Sequence, residues 1–159
     1  MTNRDLGYLL ALIRFPKFGP IRLAKLRGFF DSMETVFCAD RLALLEAKIE
    51  PKIIDQFLEI RSKLSPEKEL NLLKKYNVLA IPFVSEEYPL LLKNIYDPPA
   101  VLFIRGQLPP TGRFSLAVVG SRRPTSYGRR VIEKIVEPLA SAGINIISGL
   151  AYGIDTLAH

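Results

Sequence analysis

Apolar positions recur three and four residues apart from the N-terminus to Tyr76, and beyond Asn77 they close up into short runs. The first spacing is that of amphipathic helices, the second that of strands. Leu6, Leu9, Leu10 and Ile13 form one stripe, with Asn3 as the expected cap. Pro20 opens a second helix through Leu23, Leu26, Phe29 and Phe30, and shorter helices are expected around Glu34–Cys38 and Leu42–Ala47. Pro51 starts another, with Ile53, Ile54, Phe57 and Leu58 on one side, and Ser65 with Pro66 caps a last helix reaching Tyr76. The pattern predicts a small all-helical domain over residues 1–76, followed by a second domain over 77–159.

That second domain begins with β-prone runs, Val78–Val84 and Val101–Ile104, broken by Pro82, Pro89, Pro98 and Pro99. Between and within these runs, Leu90, Leu91, Leu92, Val101, Leu102 and Phe103 are expected to be buried. From Ser115 the order is strand, helix, strand. Leu116–Val119 stops at Gly120, and a helix begins near Pro124 and Thr125 with a stripe of Val131, Ile132, Ile135, Val136 and Leu139. Gly143 stops the helix, and Ile144, Ile146 and Ile147 form a second strand ending at Ser148 and Gly149. Such a unit of about thirty residues is a parallel βαβ crossover, so the fold class is α/β. Pro138 is out of place and should kink or loosen the end of the helix.

Charge sharpens this picture. The net charge is +6, concentrated in two places. Residues 1–30 carry Arg4, Arg14, Lys17, Arg22, Lys25 and Arg27 against Asp5 alone, and Arg122, Arg123, Arg129 and Arg130 surround the glycine loop. Such clusters attract polyanions. Cys38 is the only cysteine, so no disulfide framework exists within the chain; it reads as a small buried hydrophobe in a reducing cytoplasm. No apolar stretch approaches the roughly 20 residues of a membrane span, and no secretory signal is evident. His159 is the single histidine and cannot by itself build a metal site; no G-x-S-x-G elbow is present. Neither a catalytic group, a metal nor a cofactor is expected.

The candidate chemistry lies where the strands of the βαβ unit end. Gly120 lets the backbone turn and approach a ligand, Ser121, Thr125 and Ser126 offer hydroxyls, and Arg122 can grip a phosphate bidentately. Arg123 either joins it or faces solvent. Arg129 and Arg130 are open to the same two readings, and Tyr127 either stacks on a base or packs beneath the loop. The segment SGLAYGID repeats the arrangement at the next strand, with Ser148, Gly149 and Gly153 available for close approach. Together the two loops form a groove at the edge of a parallel sheet where phosphate ligands bind. Asp155 would repel a phosphate directly above it and reads as a helix-dipole and N–H capping residue. Near the N-terminus, PKFGPIRLAKL fits a helix-hairpin-helix or SAM-like arrangement, either purely structural or touching DNA, with Lys17 where the first glycine of that motif would stand.

VVGSRRPTSYG followed by ISGLAYGIDTLAH resembles the DNA-processing protein A family, also called Smf, and EEYPLLLKNIYDPPAVLFIRGQL is similar to the lead-in to that family's extended Rossmann domain. The resemblance implies a Rossmann-like parallel sheet that is incomplete here, because the family's domain continues past the position of His159. It also implies a non-enzymatic role: binding single-stranded DNA, protecting it and loading the bacterial strand-exchange recombinase during natural transformation, as a homodimer when full length. By the same resemblance Gly120, Ser121 and Arg122 line the DNA pocket with Ser148 and Gly149 beside them; Arg123 and Thr125 join them by their place in the loop. A sheet cut this early is expected to leave apolar faces and an edge bare. The alternative is a nucleotide hydrolase resembling the cytokinin-activating phosphoribohydrolases, whose P-G-G-x-G-T segment this chain lacks. A nicotinamide dehydrogenase ranks lower, since the G-x-G-x-x-G spacing is missing.

Overall fold

The computed structural model describes residues 1–110 and 112–159 and divides into two compact units, Met1–Gly106 and Gln107–His159.

In the first unit, helices α1 (Asn3–Ile13), α2 (Pro20–Phe29), α3 (Met33–Cys38), α4 (Arg41–Glu46), α5 (Pro51–Arg61) and α6 (Pro66–Tyr76) precede β1 (Leu79–Pro82), the single turn α7 (Leu90–Lys93) and β2 (Val101–Ile104). Proline stands in the first turn of α2, α5 and α6, where its missing N–H is no loss. The cap of α1 is Thr2, whose hydroxyl accepts from the Asp5 amide at 3.1 Å, and not Asn3, which lies inside the helix. Asp5 in turn caps a different helix: its Oδ1 accepts from the amides of Met33 at 2.6 Å and Glu34 at 3.3 Å. Arg61 closes the other end of α3 by donating to the carbonyls of Phe37 at 3.1 Å and Ala39 at 2.7 Å. These orphan groups at both ends of a six-residue helix are satisfied by side chains from α1 and α5.

Leu12, Leu26, Val36, Leu44, Ile54 and Phe57 are fully buried at the centre of this unit. Phe15 and Phe18, on either side of the α1–α2 turn, both reach inward, with ring centroids 4.9 Å from each other and 5.8 and 4.8 Å from that of Phe57. The turn is therefore anchored by its own aromatic residues. Strands β1 and β2 pair antiparallel from Leu79↔Ile104 to Pro82↔Val101. Ala80, Ala100 and Val101 pack into the helical core, which is why the first compact unit extends past Asn77 to Gly106. Ile81 and Ile104 cover the other face with Tyr88, whose hydroxyl donates to the Pro99 carbonyl at 2.9 Å.

Four residues expected to be buried are exposed. Leu90 and Leu91 are 68% and 86% exposed, because the single turn α7 has one inward face and Leu92 occupies it. Phe103 is half exposed. Cys38 is exposed, since Met33 and Val36 take the inner stripe of α3, the capping Ala39 continues it, and the residue before Ala39 points away.

The second unit contains β3 (Ser115–Ala117), α8 (Ser126–Val131), a π-helical turn (Ile132–Val136), α9 (Glu137–Ser141), β4 (Asn145–Ile147) and α10 (Ile154–Leu157). Strands β3 and β4 are parallel, Ser115 opposite Asn145 and Ala117 opposite Ile147. The mixed helix and sheet architecture thus includes the expected small parallel sheet. Pro138 has the expected local effect. It cannot donate to a carbonyl one turn back, and the chain widens ahead of it, with the Glu137 amide reaching back five residues to Ile132. The extra residue in that turn changes the phase of the apolar stripe, so Ile132 and Val136 are buried while Ile135 is half exposed. Gly143, at φ 86°, ends α9, and the Ile144 amide closes the turn on Leu139 at 3.1 Å. Val118, Ile132 and Val136 form the core with Leu116, Ile146 and Ile154. The opposite face of the sheet is bare, with Val119 78% and Ile147 51% exposed, whereas a parallel sheet is ordinarily covered on both faces.

Candidate functional site

The ends of β3 and β4 lie side by side, and a single carboxylate joins them. Asp155, buried in the first turn of α10, accepts from the Gly120 amide through Oδ1 at 3.3 Å and from the Gly149 amide through Oδ2 at 3.1 Å. The two backbone donors that the sequence offers to phosphate are thus directed at an internal anion. Asp155 caps N–H groups as expected, but those of the two strand ends and not of its own helix, whose N-cap, Gly153, provides no side chain.

This arrangement requires close approach of chain to chain. A Cβ on Gly120 would lie 2.6 Å from Cβ of Ile154. Gly153, at φ 98° and ψ −127°, is in a conformation that L side chains rarely adopt, and a Cβ there would overlap the Ser121 carbonyl oxygen. The Ile154 amide then donates to that same carbonyl at 3.1 Å. Glycine at both positions lets α10 seat directly against the first loop.

The hydroxyls are mostly committed as well. Ser121 Oγ accepts from the Arg123 amide and donates to the Arg123 carbonyl, both at 3.1 Å, folding the loop on itself. Thr125 is the N-cap of α8, accepting from the Gly128 amide at 3.2 Å, which leaves its O–H free to donate outward. Ser148 Oγ accepts from the Leu150 amide at 3.0 Å and lies 2.8 Å from Nε2 of His159.

Arg122 and Arg123 differ from all of these. Both are exposed, and neither side chain has an ion-pair or hydrogen-bond partner among the described residues. Arg129 and Arg130 are likewise exposed on the last turn of α8. Tyr127 is 71% and Tyr152 84% exposed, so Tyr127 does not pack beneath the loop. The structure therefore brings Gly120, Ser121, Arg122, Arg123, Thr125, Ser148 and Gly149 to one edge of the sheet. Two guanidinium groups, unpaired among the described residues, thus belong to a loop whose start Asp155 ties down. Among the described residues no cluster of metal-ligating side chains occurs, and no helix is long and apolar enough to cross a membrane.

The bridging role of Asp155 is the feature missed in the sequence. Its signal was a single acid inside a glycine-rich segment expected to meet anions. An acid there competes with an anionic ligand for the same backbone donors.

Residues 80–159 match the family described as DNA recombination-mediator protein A. The protein Smf of Synechocystis is 33% identical over the whole of this chain, which covers 41% of that protein. The DNA processing protein DprA of Bacillus subtilis is 42% identical over 54% of this chain and 29% of its own length. The X-ray structure of DNA processing protein A from Streptococcus pneumoniae superposes with a TM-score of 0.71 at 26% identity, covering all of this chain and 53% of that one. The chain thus spans less than half the length of these two curated relatives.

Proposed function

This chain belongs to the DNA recombination-mediator protein A (DprA/Smf) family, and from that premise we propose that it forms the part of a cytoplasmic mediator that grips single-stranded DNA by its phosphates, without reading bases. The observation carrying this reading is the pair Arg122 and Arg123, exposed and unpaired among the described residues at the end of β3. A guanidinium without a carboxylate partner is well suited to a phosphate. Because the Gly120 and Gly149 amides are engaged by Asp155, the contact is assigned to the two arginine side chains and the free hydroxyl hydrogen of Thr125. Ser121, Ser148, Gly120 and Gly149 shape the loops that present them, in a Rossmann-like sheet completed in the full-length protein.

In the full-length protein, held as a homodimer, this grip protects incoming DNA during natural transformation and presents it to the strand-exchange recombinase. No bond is made or broken. The hydrolase reading finds no support at the two loops, where the buried Asp155 has both oxygens engaged with backbone amides and is not placed to act as a base.

Titration of a fluorescent oligothymidylate at several salt concentrations tests the proposal. Neutralising two phosphates with Arg122 and Arg123 gives a slope of log affinity against log salt of about −1.4, and about −2.8 where Arg129 and Arg130 add two more. Affinity independent of salt rules the reading out, and release of ribose 5-phosphate from nucleoside monophosphates would favour the hydrolase.

A further inference from the structure

The first unit carries a second cationic feature that the glycine loops do not explain. A groove of about 350 Å³ runs between α2 and the segment from Tyr96 to Ala100, a size in the range of small-molecule sites. One wall is Pro20, Ile21, Ala24, Lys25 and Arg27; the other is Phe83, Tyr96, Asp97, Pro98 and Ala100. Neither Lys25 nor Arg27 has an ion-pair partner among the described residues, although Arg4, Arg14 and Arg22 from the same basic stretch are paired with Glu34, Glu69 and Glu50.

Arg27 is half-buried, and its guanidinium carbon lies 5.7 Å from the centre of the Phe83 ring. Burial pushes its pKa down from the ordinary value, with only a modest opposing attraction from Asp5. A partly desolvated cation held by a ring face, with no ion-pair partner among the described residues, is electrostatically incomplete. Tyr96 is 96% exposed at the facing wall, where it contributes little to the hydrophobic core. The acid of the lining, Asp97, sits beside Tyr96, so an anion is directed toward the α2 wall and an aromatic group toward the Tyr96 wall.

We infer that this groove is a second docking site for single-stranded nucleic acid, taking one nucleotide with its phosphate on Lys25 and Arg27 and its base against Tyr96 and Pro98. The inference does not rest on the loops at Gly120 and Gly149, and the two sites are read out separately.

The experiment is amide chemical-shift mapping of the isotope-labelled 159-residue chain with a short oligothymidylate, repeated on Lys25→Gln and Tyr96→Ala. Both residues are exposed, so neither change threatens folding; Arg27, whose stem is packed, is left in place. Saturable shifts are expected at Ala24, Lys25, Tyr96 and Ala100. Tyr96→Ala weakens binding at these amides about fivefold or more, and Lys25→Gln makes their salt slope shallower by about 0.7. The amides of Gly120 to Thr125 respond as before in both variants.

Groove amides that stay still while those of Gly120 to Thr125 move would overturn the inference and leave the proposed function intact. An unchanged response in Tyr96→Ala would overturn it as well. So would groove shifts that follow protein concentration and not oligonucleotide, because the occupant would then be a second copy of the chain.

Discussion

The Asp155 carboxylate accepts the Gly149 amide at 3.1 Å with one oxygen, while its other oxygen holds the neighbouring strand end at Gly120. A single side chain thus sets the spacing of the two loops on which the DNA grip is proposed to stand. Replacing it by alanine leaves two partly buried donors unsatisfied and should cost about 3 kcal/mol. Asp155→Asn should be nearly as harmful, since its amide nitrogen would face one of the same N–H groups. Hydrogen exchange provides the check: protection at Gly120 and Gly149 should fall in both variants while the amides of α1 and α5 keep theirs.

Arg122 and Arg123 have no structural duty among the described residues, so their removal should separate binding from folding. Arg122→Ala and Arg123→Ala are each expected to weaken oligothymidylate binding several-fold and to reduce the salt slope by about 0.7, with thermal unfolding unchanged. Unaltered affinity in the double variant would remove both from the site.

Two glycines with positive φ make a controlled comparison. At Gly143, φ 86°, an added Cβ meets nothing within 4 Å, so Gly143→Ala should cost only the left-handed backbone, about 1 kcal/mol. At Gly153 the same change also drives a methyl group into the Ser121 carbonyl and the Arg122 backbone. Gly153→Ala should therefore abolish the fold of the second unit, visible as collapsed amide dispersion for residues 107–159, while the first unit stays folded.

Arg22 holds Glu50 through two hydrogen bonds, at 3.0 and 2.7 Å. These lower the Glu50 pKa from 4.5 to about 2. A depressed carboxylate pKa stabilises the folded state above the unfolded value, and the contribution disappears as pH falls through the folded one. Urea midpoints should accordingly decline between pH 4.5 and about 2, and Glu50→Gln should flatten that part of the profile.

Much of the architecture was legible because local signals agreed. Pro20, Pro51 and Pro66 marked helix starts, Gly143 a helix end, and the runs at Val101 and Ile146 became paired strands. Where the reading failed, details of geometry that residue type and spacing do not carry decided. Thr2 displaced Asn3 as cap because its hydroxyl reached the Asp5 amide. Ile135 left the core because Pro138 widened the turn before it. Leu90 and Leu91 stayed in water because a single helical turn has room for only one inward residue. At the candidate site the sequence identified the segments that meet but not the use of their donors, since nothing local to Asp155 announces that it bridges partners 35 and 6 residues away.

The tight seating of α10 against the first loop has a consequence for how variation in this segment is interpreted. A saturation library screened only for soluble expression, with no DNA present, would already reject most replacements of Gly120 and Gly153 while accepting nearly any residue at Arg122. Intolerance at the glycines therefore reports the internal joint, and the ligand shows itself only at positions that the expression screen leaves free.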